Sequence, residues 1–331
     1  MTPSSDEWTL PMTRLRCAIL DDYYDTALSL ADWPRLADKV DVTAFTHPFA
    51  TEDAAAAALA DIDVVCAMRE RTPFPATLIE RLPKLKLLIT SGMRNAAIDM
   101  EAAKTRGIVV CGTQYGRDPT APLTMGLILE LTRKIGQENA RMHAGLPWQA
   151  LGGVEIEGKT LGIIGLGKLG SKVAGLAKAF GMNVIAWSPN LTPERCQEAG
   201  VGYAAKDELF ATADIITIHV VLSDRSRGLV GAADIARMKP SAYLVNTSRA
   251  PIVDEVALLR ALREKRIAGA GLDVFSVEPL PVEHPLRGLD NVVLTPHLGY
   301  VTEESFRAHY GQMVECIGAW LGGAEPPRRL A

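Results

Sequence analysis

Thr160-Leu161-Gly162-Ile163-Ile164-Gly165-Leu166-Gly167-Lys168-Leu169-Gly170 decides how this chain folds. Thr160 to Ile164 is a short apolar run of strand character. Ser171 to Phe180 follows, with Val173, Leu176, Ala177 and Phe180 at the spacing of a helix packed on a sheet. Between them the glycines stand at G-x-G-x-x-G spacing, and each has a task. Gly165 permits a tight turn, Gly167 lets backbone approach a pyrophosphate, and Gly170 allows the helix to lie close on the strand. The N–H groups that open the helix receive the phosphate charge. Alone the motif is equally a glycine-rich structural turn; set between strand and helix, it predicts a dinucleotide site.

Strand candidates recur downstream at Val184 to Trp187, Ile215 to Ile218, Tyr243 to Val245, Gly269 to Val274 and Val292 to Leu294, with helical stretches between most of them. This is the rhythm of an α/β, doubly wound parallel sheet. Upstream, Arg16 to Leu20, Val40 to Phe45, Val64 to Cys66, Leu87 to Thr90 and Ile108 to Cys111 form a second series, expected to make a smaller, flavodoxin-like sheet. The alanine-rich run Glu52 to Ala60 and the segment Glu303 to Leu321 have helical spacing.

Composition narrows the function classes. A chain of 331 residues with 48% hydrophobic content is long enough for two cores. The net charge of −4 and the dispersed Lys and Arg residues speak against nucleic acid or an anionic membrane as partner. Met1 to Thr13 is polar and mixed, without a signal-peptide core, and no segment has the apolar length of a membrane span. The five cysteines show neither C-x-x-C nor metal-ligand spacing, so no metal is expected and a reducing cytoplasm suits them.

Ligands of open α/β sheets bind outside the carboxyl ends of the strands. Arg249, Glu278 and His297 all fall there, each just past a strand candidate. Singly, Arg249 reads as an ion-pair partner, Glu278 as a solvated loop carboxylate and His297 as a turn residue after Pro296. Together, in "NTSRAPIVDE", "GLDVFSVEPL" and "TPHLGY", they resemble the D-isomer-specific 2-hydroxyacid dehydrogenase family, and the resemblance extends from about Val64 to Leu321.

The resemblance implies a Rossmann-type cofactor domain over residues 116–301 and a discontinuous substrate domain from 1–115 and 302–331, with the catalytic cleft between them and a homodimer built on the helix after Thr120 through Trp148. It implies hydride transfer between a nicotinamide cofactor and a 2-oxo acid or D-2-hydroxy acid. That chemistry needs a proton donor for the developing alkoxide and a group that holds the carboxylate while polarising the carbonyl. Arg249 suits the second task, because a guanidinium stays charged and presents a fixed fork of donors. His297 suits the first, since imidazole exchanges protons near neutrality. Glu278 beside it would favour the imidazolium and fix the ring.

Further positions carry over by resemblance: Lys168, Leu169, Val220, Thr247, Ser248 and Gly299 toward the cofactor, Asp273 toward its carboxamide, and the backbone of Gly92, Met93 and Arg94 toward the substrate carboxylate. Arg94 stands where much of the family has a second glycine. Its side chain is read as solvent-facing or a dimer contact, with a direct substrate role as the alternative. His219 reads as a structural residue. Thr120 is a candidate N-cap, with Pro122 in the first turn where relatives often have Glu. At the end of the strand closing at Trp187, where an NAD enzyme usually places an acid, stands Ser188-Pro189-Asn190, and no cation follows before Arg195. NAD(H) is therefore expected, with NADP(H) open. Glyoxylate or hydroxypyruvate is the expected substrate, phosphoglycerate the alternative. A dinucleotide-sensing binding protein of the same fold is the rival class; the absence of long disordered tails favours the enzyme.

Overall fold

The computed structural model describes residues 14–331, so the reading of Met1 to Thr13 lies outside the described residues. The chain divides by its internal contacts into two units. One is the segment ending at Arg117 together with Thr302–Ala331; the other is Asp118–Val301.

The first unit holds β1 (Leu15–Ile19), β2 (Val40–Ala44), β3 (Val64–Ala67), β4 (Leu87–Thr90) and β5 (Val109–Gly112) in the order β2-β1-β3-β4-β5. Every pair is parallel. This is the flavodoxin-like order. β3 and β4 are buried along their whole length, which is why they read as unbroken apolar runs and not as alternating ones. The helix Glu303–Leu321 has the bounds its periodicity predicts; Thr302 caps it by accepting the Ser305 N–H.

The second unit holds β6 (Thr160–Ile164), β7 (Asn183–Trp187), β8 (Gly202–Tyr203), β9 (Ile215–Ile218), β10 (Tyr243–Asn246), β11 (Gly269–Leu272) and β12 (Val292–Leu294). They lie in the order β12-β11-β10-β9-β6-β7-β8. All pairs are again parallel, and the order reverses beside β6, the strand that leads into the glycine loop. Alternation along β6 builds both faces. Leu161 and Ile163 join the core under the helices Thr120–Arg133 and Lys168–Ala179, while Ile164 joins the opposite core with Phe210, Ile216 and Leu244.

Two expectations need correction. Thr120 is not the N-cap of its helix: Pro119 is, and Thr120 is the first helical residue, its hydroxyl donating to the Gly299 carbonyl at 2.7 Å. The strand expected to run to Val274 stops at Leu272, because the next residue, Asp273, turns its carboxylate to the 295–299 segment.

Candidate active site

β6 ends in Gly165, whose φ of +99° favours glycine, and a Cβ there would lie 2.7 Å from Val220 Cγ1. A Cβ on Gly170 would meet the Gly165 carbonyl oxygen at 2.1 Å, so the helix lies on the loop as closely as backbone allows. Gly167 is different. It is the N-cap of Lys168–Ala179, no side chain caps the helix there, and a Cβ on it would meet nothing within 4 Å. Bare N–H groups at a helix start with open space before them fit a dinucleotide pyrophosphate. Lys168, 68% exposed, sits 3.5 Å from Asp118.

The neighbouring strand ends are tied to one another and to the helix Thr120–Arg133. Ser248 Oγ donates to the Val220 carbonyl at 2.5 Å, and Thr247 Oγ1 is 3.0 Å from Thr124 Oγ1. Ser188 is half-buried at the end of β7, its carbonyl accepting the Leu191 N–H. His219 is hydrogen-bonded to Thr217 at 3.0 Å, and burial pushes its pKa down to about 4, which keeps it neutral.

Past β10, Asn246 accepts the Ser248 N–H and donates to the Arg249 carbonyl, forming a turn that presents Arg249 at the head of the 3-10 segment Ala250–Ile252. Nothing in the sequence pattern singled out Asn246 beyond its place at a strand end. Past β11, Asp273 is fully buried and accepts three hydrogen bonds, from Thr295 Oγ1 and the N–H groups of Leu298 and Gly299. Burial raises its pKa, and those bonds and the His297 charge oppose the rise. Through them Asp273 braces the turn in which His297 holds a left-handed φ of +54°, a conformation kept only where its surroundings enforce it.

His297 Nδ1 lies 2.7 Å from Glu278 Oε2, and Glu278 Oε1 accepts the Phe275 N–H at 2.9 Å. Burial works to raise the Glu278 pKa, but the hydrogen bond and charge of His297, the Phe275 N–H and the Arg249 charge together hold it below the usual glutamate value. Glu278 is therefore an ionised acceptor, the Nδ1 proton belongs to their bond, and Nε2 is the atom left to give or take a proton. Glu255, which the sequence reading did not single out, accepts from Ser276 Oγ at 2.5 Å and pairs with His284 at 3.0 Å, holding the loop on both sides of Glu278.

In the first unit, the loop after β4 turns at Gly92 with φ of +97°. Its N–H donates to Thr113 Oγ1 at 3.2 Å, while the N–H groups of Met93 and Arg94 have no acceptor among the described residues. Both residues are exposed, and Arg94 keeps a negative φ, so glycine is not required there. Among the described residues no group of three or more His, Cys, Asp or Glu could hold a metal ion.

Residues 125–299 match the family described as D-isomer specific 2-hydroxyacid dehydrogenase, NAD binding domain. The chain belongs to the D-isomer-specific 2-hydroxyacid dehydrogenase family. It is 41% identical over 267 residues to a D-3-phosphoglycerate dehydrogenase of Methanocaldococcus jannaschii, a match covering 80% of this chain and half of that longer protein. It is 38% identical to a glyoxylate reductase of Aeropyrum pernix, covering 76% of this chain and 77% of that one. A phosphoglycerate oxidoreductase of Vibrio cholerae has a similar structure, with a TM-score of 0.89 at 33% identity over 94% of this chain and all of that one.

Proposed function

We propose that this protein catalyses hydride transfer between a nicotinamide cofactor and a 2-oxo acid or D-2-hydroxy acid. The observation that carries this reading is the 2.7 Å pair of His297 with ionised Glu278, at the carboxyl ends of the sheet that bears the glycine loop. When bound, the reduced nicotinamide supplies the hydride. Gly165, Gly167, Lys168, Leu169 and Gly170 hold the dinucleotide, with Ser188, Val220, Thr247, Ser248, Asp273 and Gly299 around it. Arg249 holds the substrate carboxylate and polarises its carbonyl. His297 delivers a proton from Nε2 to the alkoxide and, in the reverse direction, removes it; Glu278 keeps the ring aimed and its charge balanced. The Met93 and Arg94 N–H groups are further carboxylate donors, on the turn set by Gly92.

NAD(H) is the proposed cofactor, since along the chain no Arg or Lys follows Ser188 before Arg195 to hold a 2'-phosphate. The likeness to glyoxylate reductases supports glyoxylate or hydroxypyruvate as substrate; the likeness to D-3-phosphoglycerate dehydrogenases supports the alternative. Residues 1–115 with 302–331 are assigned to the substrate domain and 116–301 to the cofactor domain, close to the division at Arg117 and Val301. The helix Ile135–His143 buries none of its residues, and Ile135, Met142 and Trp148 are more than half exposed, which supports a homodimer formed on this face. Among the described residues no helix is long and apolar enough to cross a membrane, and the cytoplasm is the proposed location. The test is absorbance of the reduced nicotinamide with NADH and NADPH against glyoxylate, hydroxypyruvate, pyruvate and the phosphorylated oxo acid. Oxidation with one pair identifies cofactor and substrate; tight dinucleotide binding without turnover would replace this reading with a dinucleotide sensor.

A further inference from the structure

The turn at Gly92 is held from a distant part of the sequence. Gly92 N–H donates to Thr113 Oγ1 at 3.2 Å. The same oxygen lies 2.7 Å from Nδ1 of His309, which is 4% exposed on the helix Glu303–Leu321. A hydroxyl has one proton to give. With its oxygen accepting from Gly92, Thr113 can donate to His309 at 2.7 Å when the ring tautomer leaves Nδ1 bare, or to the Thr90 carbonyl at 3.3 Å. Nδ1 as acceptor requires a neutral ring. Burial, with the Arg69 charge acting in the same sense, pushes the His309 pKa down to about 4 and keeps it so. Tyr115 also faces the ring, its centroid 6.4 Å away. In that tautomer the bonds run one way: Gly92 N–H to Thr113, Thr113 O–H to His309.

Loop and chain meet at one end of the sheet. Thr90 closes β4, Gly112 closes β5, and Thr113 is the next residue. The segment after β5 is fixed independently by Gln312, which accepts the Gln114 N–H at 2.9 Å and donates to the Gln114 carbonyl at 2.8 Å. Asn95 ties the far side of the loop, donating to the Arg69 carbonyl and to Thr90 Oγ1. On the Gly92 side the carbonyl accepts the Thr113 N–H at 3.3 Å, while the Gly92 N–H depends on a hydroxyl that His309 also contacts.

We propose that His309 is a positioning residue for the anion-binding turn: by accepting the Thr113 proton it leaves the Thr113 oxygen to hold Gly92, and so aims the Met93 and Arg94 N–H groups at the substrate carboxylate. The assignment of a substrate to that turn rests on the function proposed above; the hydrogen-bond chain does not.

Two readouts separate them. Amide exchange at Gly92, followed by NMR in the full chain without substrate, reads the chain directly. It should accelerate by ~tenfold or more in Thr113→Val and His309→Phe, and return to the parent rate in Thr113→Ser. Steady-state kinetics, with oxamate inhibition as a second probe, reads the consequence. Thr113→Val should raise KM for the 2-oxo acid and weaken oxamate by ~tenfold while the dinucleotide Kd stays within ~twofold, and Thr113→Ser should rescue both. Unchanged Gly92 exchange in both disruptive variants overturns the chain. Accelerated exchange with no selective change in KM or oxamate inhibition overturns its role at the substrate. A parent enzyme that turns over no 2-oxo acid would sink the function proposed above, and Gly92 exchange would still decide the chain.

Discussion

The two sheets offer loops at their carboxyl ends by opposite means. In the seven-stranded sheet the donors and acceptors are ionisable and coupled: Glu278 is held below its usual pKa, His297 is bonded to it at 2.7 Å, and Asp273 is buried beneath with three hydrogen bonds. In the five-stranded sheet the loop after β4 is built from neutral bonds through Ser91, Thr113 and Asn95, and its histidine, His309, is kept uncharged by burial. The first arrangement can move a proton. The second orients backbone N–H groups, with the Arg69 guanidinium lying against Gly92, and oriented N–H groups suit recognition of an anion. His297 and His309 thus differ in their partners: an ionised carboxylate for the first, a hydroxyl in a buried setting for the second.

The largest effect should follow from removing the proton-carrying member. His297→Ala is expected to lower turnover by roughly a hundredfold to ten-thousandfold while dinucleotide affinity stays nearly unchanged, measured by stopped-flow reduction and fluorescence titration. Turnover near the parent rate would remove the contrast between the two histidines. Arg249→Ala comes next. Loss of a charge-assisted pair with the substrate carboxylate should reduce kcat/KM by ~100-fold, and Arg249→Lys should recover only part of it, because an ammonium lacks the planar fork. Full recovery by lysine would make Arg249 a general source of positive charge and not a carboxylate clamp.

How much of this was legible in the sequence differs between the sheets in the same way. β6, its glycine loop and the following helix were readable because each glycine answers a local backbone demand, and Arg249, Glu278 and His297 because each stands at a strand end with distinctive chemistry. β8, two exposed residues at a sheet edge, carries no periodicity to detect. Asp273 is visible as an acid, but its grip on residues 22 to 26 positions away is a tertiary fact. His309 reads as one more position on an amphipathic helix; its partner Thr113 is 196 residues distant. Thr120 looked like a cap because threonine often is one, and the Gly299 carbonyl claimed its hydroxyl.

Burial of the uncharged histidine sharpens the comparison through pH. His309 has a folded pKa of about 4 against the ordinary 6.5, so the unfolded chain takes up the proton first as pH falls. The stability it contributes is complete above about pH 6.5, declines between about 6.5 and 4, and stays constant below; 2.5 units correspond to roughly 3 kcal/mol. Urea unfolding across that window should show this decline, and His309→Gln should flatten it. His219, with the same depressed value, supplies a second contribution of the same sign, so the slope should not vanish. An identical slope in His309→Gln would mean that His309 titrates normally and that the neutral chain to Gly92 is wrong. In the other sheet, Gly170→Ala should cost roughly 1–3 kcal/mol, because a Cβ at 2.1 Å from the Gly165 carbonyl forces helix and loop apart, and dinucleotide affinity should fall with it.

The smallest effect should come from Arg94, and it tests whether the neutral loop works through backbone alone. The side chain is exposed and its φ is negative, so alanine fits the turn and keeps the N–H. If the loop recognises the carboxylate by N–H groups, Arg94→Ala should change KM for the oxo acid by less than ~threefold, the size of an exposed charge screened by water and salt. A rise of ~tenfold or more, with cofactor affinity unchanged, would show that the guanidinium itself binds substrate. The five-stranded sheet would then supply an ionic contact of its own, and the division between a sheet that carries charge and a sheet that only aims backbone would fail at this residue.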